Sequence, residues 1–274
     1  MLDLDRPVDF ASVAASCRKQ NEFNRLIIKL ENTLTPAEIA AIAELELPPE
    51  VNERAEPWLA RLRKWRPEIF LKPQSYQRRS IGPAAIFYSD GSLPRREKKL
   101  LVAFGGNALR LMVPTCVFLQ GLCAKHWDVL FVRKQDVGTS YFDGQDGIAS
   151  DFSGVIRYFE VKISRHEYRC VNTLGTSSGG FFAIWAGSLL GAKRAFSLAG
   201  FLPRKLPDVV FNKTVPSKVH FYGEDNPVDR DTALAMREYL GGELRSISHV
   251  AHHNLLGTLM KEGRLGEIFC ELQT

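Results

Sequence analysis

The sequence predicts an α/β fold, in which a mostly parallel central sheet carries helices on both faces and follows an N-terminal helical segment. From about residue 84, short apolar runs alternate with helical stretches, the pattern typical of a parallel sheet covered on both sides. Before that point the chain reads as helical, without a strand pattern. We therefore expect residues 1–80 to form a helical segment and residues 81–274 to form the larger α/β domain.

Composition and charge indicate a globular protein. Of its 274 residues, 45% are hydrophobic, enough to bury a sizeable core. The formal net charge is +5, and its basic clusters are expected to form solvated faces, since no nucleic-acid motif accompanies them. We expect no transmembrane segment, because no run of about 18 apolar residues occurs. The first residues lack the features of a secretory signal, which favours a cytoplasmic protein.

The five cysteines are scattered along the chain without a CxxC pair. This spacing argues against both a disulfide framework and a zinc site. The adjacent histidines at 252 and 253 also lack the helical spacing of a zinc site. Neither a metal nor a cofactor is expected.

The N-terminal segment is predicted to contain three helices, over residues 10–30, from 35 to the prolines at 48 and 49, and 57–65. The second has the clearest start: Thr35 is a predicted N-cap, Pro36 takes the first helical position, and Glu38 completes a capping box.

The larger domain is predicted to alternate strands and helices. Predicted strands cover residues 84–88, 99–104, 127–132, 169–174, 195–198, 218–222 and 244–249, and predicted helices cover 109–122, 151–163, 178–190, 229–240 and 254–261. The turn-rich residues 89–94 between the first two strands favour a hairpin there. An antiparallel start followed by βα repeats is expected.

One candidate for chemistry is a serine between two glycines, at the junction of a strand and a helix. Gly175-Thr176-Ser177-Ser178-Gly179 follows a β-branched strand and precedes an apolar helix. A serine at the tip of such a tight turn needs neighbours with almost no side chain, and the glycines meet that need. The turn also aims the backbone N–H of Ser178 at the place where an oxyanion would form. The alternative is a simple turn with Ser177 as the N-cap of the helix.

A second glycine turn follows the predicted strand 99–104. Gly105-Gly106-Asn107 would let a backbone N–H approach a substrate oxygen closely, so Gly106 or Asn107 is the candidate second oxyanion donor. An ordinary strand-to-helix turn is the alternative.

A serine nucleophile needs an imidazole base, and four histidines follow Ser177 in the chain. His220 lies within an apolar strand and is expected in the sheet, and His249 ends the last strand. His252 and His253 stand in a short loop before a helix, where a base could reach the sheet edge. We prefer His253, with His252 as the alternative.

The base in turn needs a carboxylate, expected after the penultimate strand. Asp225 comes directly off that strand in a turn and is preferred as the acid. Asp229 is the first alternative, although it could instead cap the following helix, and Glu224 is the second.

From about residue 84 onward the chain resembles the α/β-hydrolase superfamily, and in particular its serine esterase-like members. The resemblance is carried by the turn at Gly106, the elbow at Ser177, the strand end at Asp225 and the loop of His253. It implies a sheet of about eight strands and acyl transfer to water through a covalent acyl-enzyme. Many members place the acid three residues after the glycine of that strand end, where this chain has Asn226.

Family members often insert a cap domain between the sixth and seventh strands, but here only residues 199–217 are available. We expect no large cap, so the site is either open or roofed by the N-terminal helices and the polar segment 135–144. The function hypothesis is a serine esterase, of carboxylesterase or deacetylase type, acting on a small-molecule or carrier-bound ester. The alternatives are an acyltransferase on the same fold and a non-catalytic binding protein. The oligomeric state stays open.

Overall fold

The fold is an eight-stranded, mostly parallel sheet with helices on both faces, as predicted. The computed structural model describes residues 9–136, 138–204, 206 and 215–273. Strand order across the sheet is β1-β2-β4-β3-β5-β6-β7-β8. The strands are β1 Gln77–Gly82, β2 Ala85–Ser89, β3 Lys99–Phe104, β4 Trp127–Val132, β5 Cys170–Thr176, β6 Arg194–Leu198, β7 Ser217–Gly223 and β8 Glu243–Ile247.

The antiparallel part of the sheet differs from the prediction. The expected hairpin between residues 84–88 and 99–104 is wrong, because β2 pairs with β1 and β4 and β3 lies between β4 and β5. The sequence pattern did not reveal β1 because its residues, QRRSIG, are largely polar. An edge strand tolerates such a sequence, since it is only partly covered. The turn-rich residues 89–94 instead lead out of β2 and across to β3.

Five helices precede the sheet: α1 Phe10–Ser16, α2 Gln20–Glu31, α3 Pro36–Ala43, α4 Pro49–Trp65 and α5 Glu68–Leu71. The predicted capping box of α3 is present, with Thr35 and Glu38 bonded to each other's backbone N–H. The predicted helix 10–30 is divided in two, because Glu22 accepts from the N–H groups of Arg18 and Lys19 and starts a new helix.

The third predicted helix begins earlier than expected. Helix α4 starts at Pro49 and contains Pro57 in its interior. A proline at the first helical position needs no N–H partner, so Pro49 is a favourable start. Pro57 removes one hydrogen bond, and burial of Val51, Ala55 and Trp58 on the same helix offsets that loss.

The helices that follow β3 are α6 Thr115–Gln120, α7 Phe152–Lys162, α8 Gly179–Leu190, α9 Pro227–Leu240, α10 Leu255–Lys261 and α11 Gly266–Gln273. Helix α6 is much shorter than the predicted 109–122. The residues before it form a loop in which Leu109 and Met112 have positive φ angles of 57° and 67°. Left-handed backbone is incompatible with an α-helix, so the helix cannot begin before this loop ends.

The sheet separates two hydrophobic cores. Along β3, Leu101 and Ala103 face one core, whereas Leu100, Val102 and Phe104 face the other. The first core also contains buried residues of the N-terminal helices, α6, α10 and α11, and the second is closed by α7, α8 and α9. The N-terminal helices therefore form part of the layer that covers one face of the sheet.

Some of the sequence expectations fall outside the described residues. These are the structure of residues 1–8, of Val137 within the polar segment 135–144, and of residues 205 and 207–214 between β6 and β7. Within the described ranges, none of the helices combines the length and apolar character that crossing a membrane requires.

Candidate active site

The parallel strands bring the two glycine turns side by side. Phe104 at the end of β3 lies opposite Gly175 in β5, so Gly105 and Ser177 leave the sheet at the same edge. A Cβ on Gly106 would lie 3.0 Å from Ser177 Cβ. Gly106 therefore permits a close approach of its backbone to the candidate nucleophile.

Ser177 occupies the strained turn between β5 and α8. Its φ is +52°, in the left-handed region that residues other than glycine rarely adopt. The turn can close only around glycines: a Cβ on Gly175 would lie 2.0 Å from the carbonyl oxygen of Gly179, and one on Gly179 would lie 2.6 Å from that of Phe104. Helix α8 begins at Gly179, so Ser177 lies one residue before its N-cap and is not the cap itself.

A continuous chain of hydrogen bonds joins three of the predicted residues. His253 Nε2 lies 3.0 Å from Ser177 Oγ, and His253 Nδ1 lies 2.7 Å from Asp229 Oδ1. Asp229 is 2% exposed, while the side chain of His253 is 49% exposed. The hydrogen bond to Asp229 raises the pKa of His253 above its ordinary value, against the opposing effect of partial burial.

Of the two candidate aspartates, Asp229 contacts His253 and Asp225 does not. Asp225 is exposed, and its side chain makes no hydrogen bond or ion pair with any residue in the described ranges. Asp229 is not the N-cap that the sequence suggested, because α9 starts two residues earlier, at Pro227. Asn226 caps the helix, and its Oδ1 accepts from the N–H of Asp229 at 3.1 Å. The carboxylate of Asp229 is thereby available to His253. Glu224 is exposed.

The remaining histidines lie elsewhere. His252 is exposed and makes no hydrogen bond to the described residues, and His249 is exposed with a φ of 61°. His220 lies in β7 as expected, 1% exposed, with Nε2 at 2.9 Å from the carbonyl oxygen of Gly241. Burial lowers the pKa of His220, which favours its neutral form.

Of the three predicted oxyanion donors, Gly106 is already engaged. Its N–H donates to the carbonyl oxygen of Arg110 at 3.0 Å. The N–H groups of Asn107 and Ser178 make no hydrogen bond within the described ranges. Tyr141 stabilises the turn at Gly105 and Gly106, since its hydroxyl donates to the carbonyl oxygen of Gly105 at 2.9 Å.

A cavity of about 410 Å³ opens over Ser177. Its described lining includes several residues that the sequence did not single out as functional: Ala108, Arg110, Met112, Phe201 and Asn254. No residue of the five N-terminal helices, and no described residue of the segment 135–144, is among its lining. Of the two possibilities left open by the sequence, the described residues favour the open site.

Solved structures resemble this architecture at low sequence identity. The uncomplexed acylaminoacyl peptidase of Pyrococcus horikoshii aligns with a TM-score of 0.51 and 12% identity, over 76% of this chain and 43% of the peptidase. An acylaminoacyl peptidase in complex with Z-Gly-Gly-Phe-chloromethyl ketone gives 0.50 and 14%, over 75% and 43% of the two chains. This chain has the α/β-hydrolase fold.

This chain spans less than half the length of the two peptidases that it resembles. A serine hydrolase without a lid from Xanthomonas campestris is also similar, with a TM-score of 0.45 and 15% identity, over 73% of this chain and 93% of that one. The sequence matches no protein-family model and no curated protein.

Proposed function

We propose that this protein is a serine hydrolase that cleaves esters through a covalent acyl-enzyme. The observation that supports this most directly is the hydrogen-bonded chain of Ser177, His253 and Asp229 at the edge of the sheet. Such a chain is what a serine requires to lose its proton at neutral pH.

The chemistry follows from these contacts. His253 Nε2 takes the proton of Ser177 Oγ as that oxygen attacks the ester carbonyl. Asp229 accepts the hydrogen bond of Nδ1–H and stabilises the imidazolium that forms. The free N–H groups of Asn107 and Ser178 are the proposed donors to the oxyanion. His253 then donates its proton to the leaving alcohol, and water, activated by the same histidine, releases the acid.

Hydrolysis is favoured over acyl transfer to another acceptor by the openness of the site. The side chain of His253 is 49% exposed, so water can reach the position from which the acyl-enzyme is attacked. An acyltransferase must exclude water from that position.

A fluorophosphonate probe and short 4-nitrophenyl esters test the proposal together. The probe should label the protein, Ser177→Ala should abolish labelling, and Ser178→Ala, which changes the adjacent hydroxyl, should keep it. Ester turnover should fall by at least about 10³-fold in Ser177→Ala. An initial burst without turnover would indicate an acyltransferase, and equal labelling of the protein and Ser177→Ala would indicate a non-catalytic protein.

A further inference from the structure

Arg110 is a charged group of the cavity that the proposed triad does not use. It lines the cavity together with Ser177 and His253 and is half-buried. Its guanidinium makes no hydrogen bond or ion pair with any residue in the described parts of the chain. A guanidinium carries five N–H donors and stays charged at every physiological pH. In contrast, the buried Arg78 is held by Glu38 at 2.9 Å.

The backbone of Arg110 is placed firmly with respect to the nucleophile. Its carbonyl oxygen accepts from the N–H of Gly106 at 3.0 Å and from the hydroxyl of Thr176, the residue before Ser177, at 3.4 Å. Leu109 and Met112, on either side, have positive φ angles. Such conformations persist only where the surroundings determine them, which is commonest at ligand sites.

A second cation, Lys134, contacts the lining of the cavity at Asn107. Lys134, with 7% exposure, donates to Asn107 Oδ1 at 2.7 Å and has no acidic partner among the described residues. Burial lowers the pKa of Lys134. None of the described residues that line the cavity is acidic, and Asp229 behind it is bonded to His253. The described lining of the cavity therefore carries a net positive charge.

The rest of the cavity suits a hydrocarbon. Ala108, Met112 and Phe201 contribute apolar side chains to its lining. A ligand that satisfies both features has a short apolar chain and one anionic end. A carboxylate matches the planar fork of a guanidinium with two parallel hydrogen bonds. Arg110 is the one permanently charged residue among the described lining residues, so it matches the single negative charge of a carboxylate, whereas a phosphate monoester carries nearly two.

We propose that Arg110 determines specificity by binding a carboxylate carried by the ester substrate. This deepens the proposed function and rests on it. The preferred substrate class is the hemiester of a dicarboxylic acid, or an ester whose alcohol part bears the carboxylate.

Matched ester pairs test this assignment. The first pair is 4-nitrophenyl hemiadipate and 4-nitrophenyl hexanoate, with the charge on the acyl part. The second is 4-carboxyphenyl butyrate and 4-carbamoylphenyl butyrate, with the charge on the leaving group. In Arg110→Gln, kcat/KM for the charged member of one pair should fall by about 10-fold or more, while its neutral partner stays within about 3-fold. Arg110→Lys should retain an intermediate preference, because it keeps the charge without the fork.

The matched control is Arg157→Gln, which removes an equal charge from an exposed position on α7 outside the cavity lining. It should change neither pair. Equal losses for charged and neutral esters in Arg110→Gln, or no loss for either charged ester, would overturn the assignment.

A binding measurement separates this proposal from the proposed function. Ser177→Ala should bind monomethyl adipate at least about 10-fold more tightly than dimethyl adipate by calorimetry, and adding Arg110→Gln should remove the difference. This result does not depend on turnover. Absence of probe labelling would defeat the hydrolase proposal alone, whereas equal affinity for the two adipates, or no binding at millimolar concentration, would defeat the role of Arg110.

Discussion

Asp229 shows how one residue acquires its proposed catalytic role from its surroundings. It lies in the first turn of α9, where the positive end of the helix dipole favours a carboxylate charge. One of its oxygens contacts His253, and the other is buried without a hydrogen-bond partner in the described ranges. A buried carboxylate with one partner depends strongly on that partner.

Asp229→Asn should lower kcat/KM for 4-nitrophenyl butyrate by about 10³- to 10⁴-fold, because an amide cannot hold the imidazole in the required tautomer or stabilise its charge. Asp225→Asn, an equal change at an exposed position, should lower it by less than about 3-fold. Steady-state kinetics of the two variants checks both. A larger loss in Asp225→Asn would place the acid at the position that the sequence favoured.

The acidic limb of the pH–rate profile should lie above the ordinary histidine pKa of about 6.5. The hydrogen bond to Asp229 raises the pKa of His253, so the imidazole stays protonated to higher pH and cannot accept the serine proton. Activity should therefore rise with pH through that raised pKa.

The direction of the pKa shift of His253 can be measured without turnover. An NMR titration of His253 in Ser177→Ala should give a raised pKa, and adding Asp229→Asn should move it to lower pH. Adding Asp225→Asn should leave it in place. A pKa of His253 that does not respond to Asp229→Asn would contradict the described contact.

At the scale of elements, a buried ion cluster joins the β2–β3 connection to strand β4. Lys98 Nζ lies 2.6 Å from Asp90 Oδ1 and 2.9 Å from Asp128 Oδ1, and the Tyr168 hydroxyl donates to Asp128 Oδ2 at 2.7 Å. Asp90 follows β2, Lys98 precedes β3, and Asp128 lies in β4. The cluster thus fixes the β2–β3 connection against β4. This connection had been predicted to be a hairpin.

Lys98→Met should reduce the free energy of unfolding by about 3–5 kcal/mol, because it leaves two buried carboxylates without their cation. The matched control is Lys99→Met. The amine of Lys99 is exposed and bonds to the carbonyl oxygen of Gln273 at 2.7 Å, so its loss should cost less than about 1 kcal/mol. Urea denaturation of both variants measures the difference, and equal costs would show that the cluster contributes little.

At the scale of the whole molecule, the N-terminal helices and the sheet share one core. The Tyr88 hydroxyl in β2 donates to the carbonyl oxygen of Thr33 at 3.0 Å, and Arg78 in β1 pairs with Glu38 in α3. The buried side chains of α2 and α4 belong to the same hydrophobic cluster as those of β2 and β4. Removing these helices would expose part of that cluster to water.

The full chain is therefore expected to unfold in one transition, with equal calorimetric and van't Hoff enthalpies. Tyr88→Phe should lower the midpoint of that single transition, since the buried carbonyl of Thr33 loses its donor at a cost of about 1–3 kcal/mol. Calorimetry of both proteins checks this. If the protein instead shows a separate early transition, and Tyr88→Phe shifts only that transition, residues 1–80 behave as an independent unit.

Local patterns predicted much of this protein. Apolar runs and their order predicted the covered sheet, and the glycines around Ser177 predicted a turn that only small residues permit, because both depend on neighbours in the chain. The cap of α9 was also readable, since Asn226-Pro227 is a typical helix start. A helix that starts at Pro227 places Asp229 inside its first turn, where Asp229 cannot be the N-cap.

Other features depend on contacts between distant residues. Only the tertiary structure decided that β3 lies between β4 and β5, that Asp229 and not Asp225 reaches His253, and that the N–H of Gly106 is taken by Arg110. Partners 24 and 76 residues apart meet at His253 because parallel strands end at one edge of the sheet. The sequence determined which residues could carry the chemistry, and the packing of the sheet determined which of them meet.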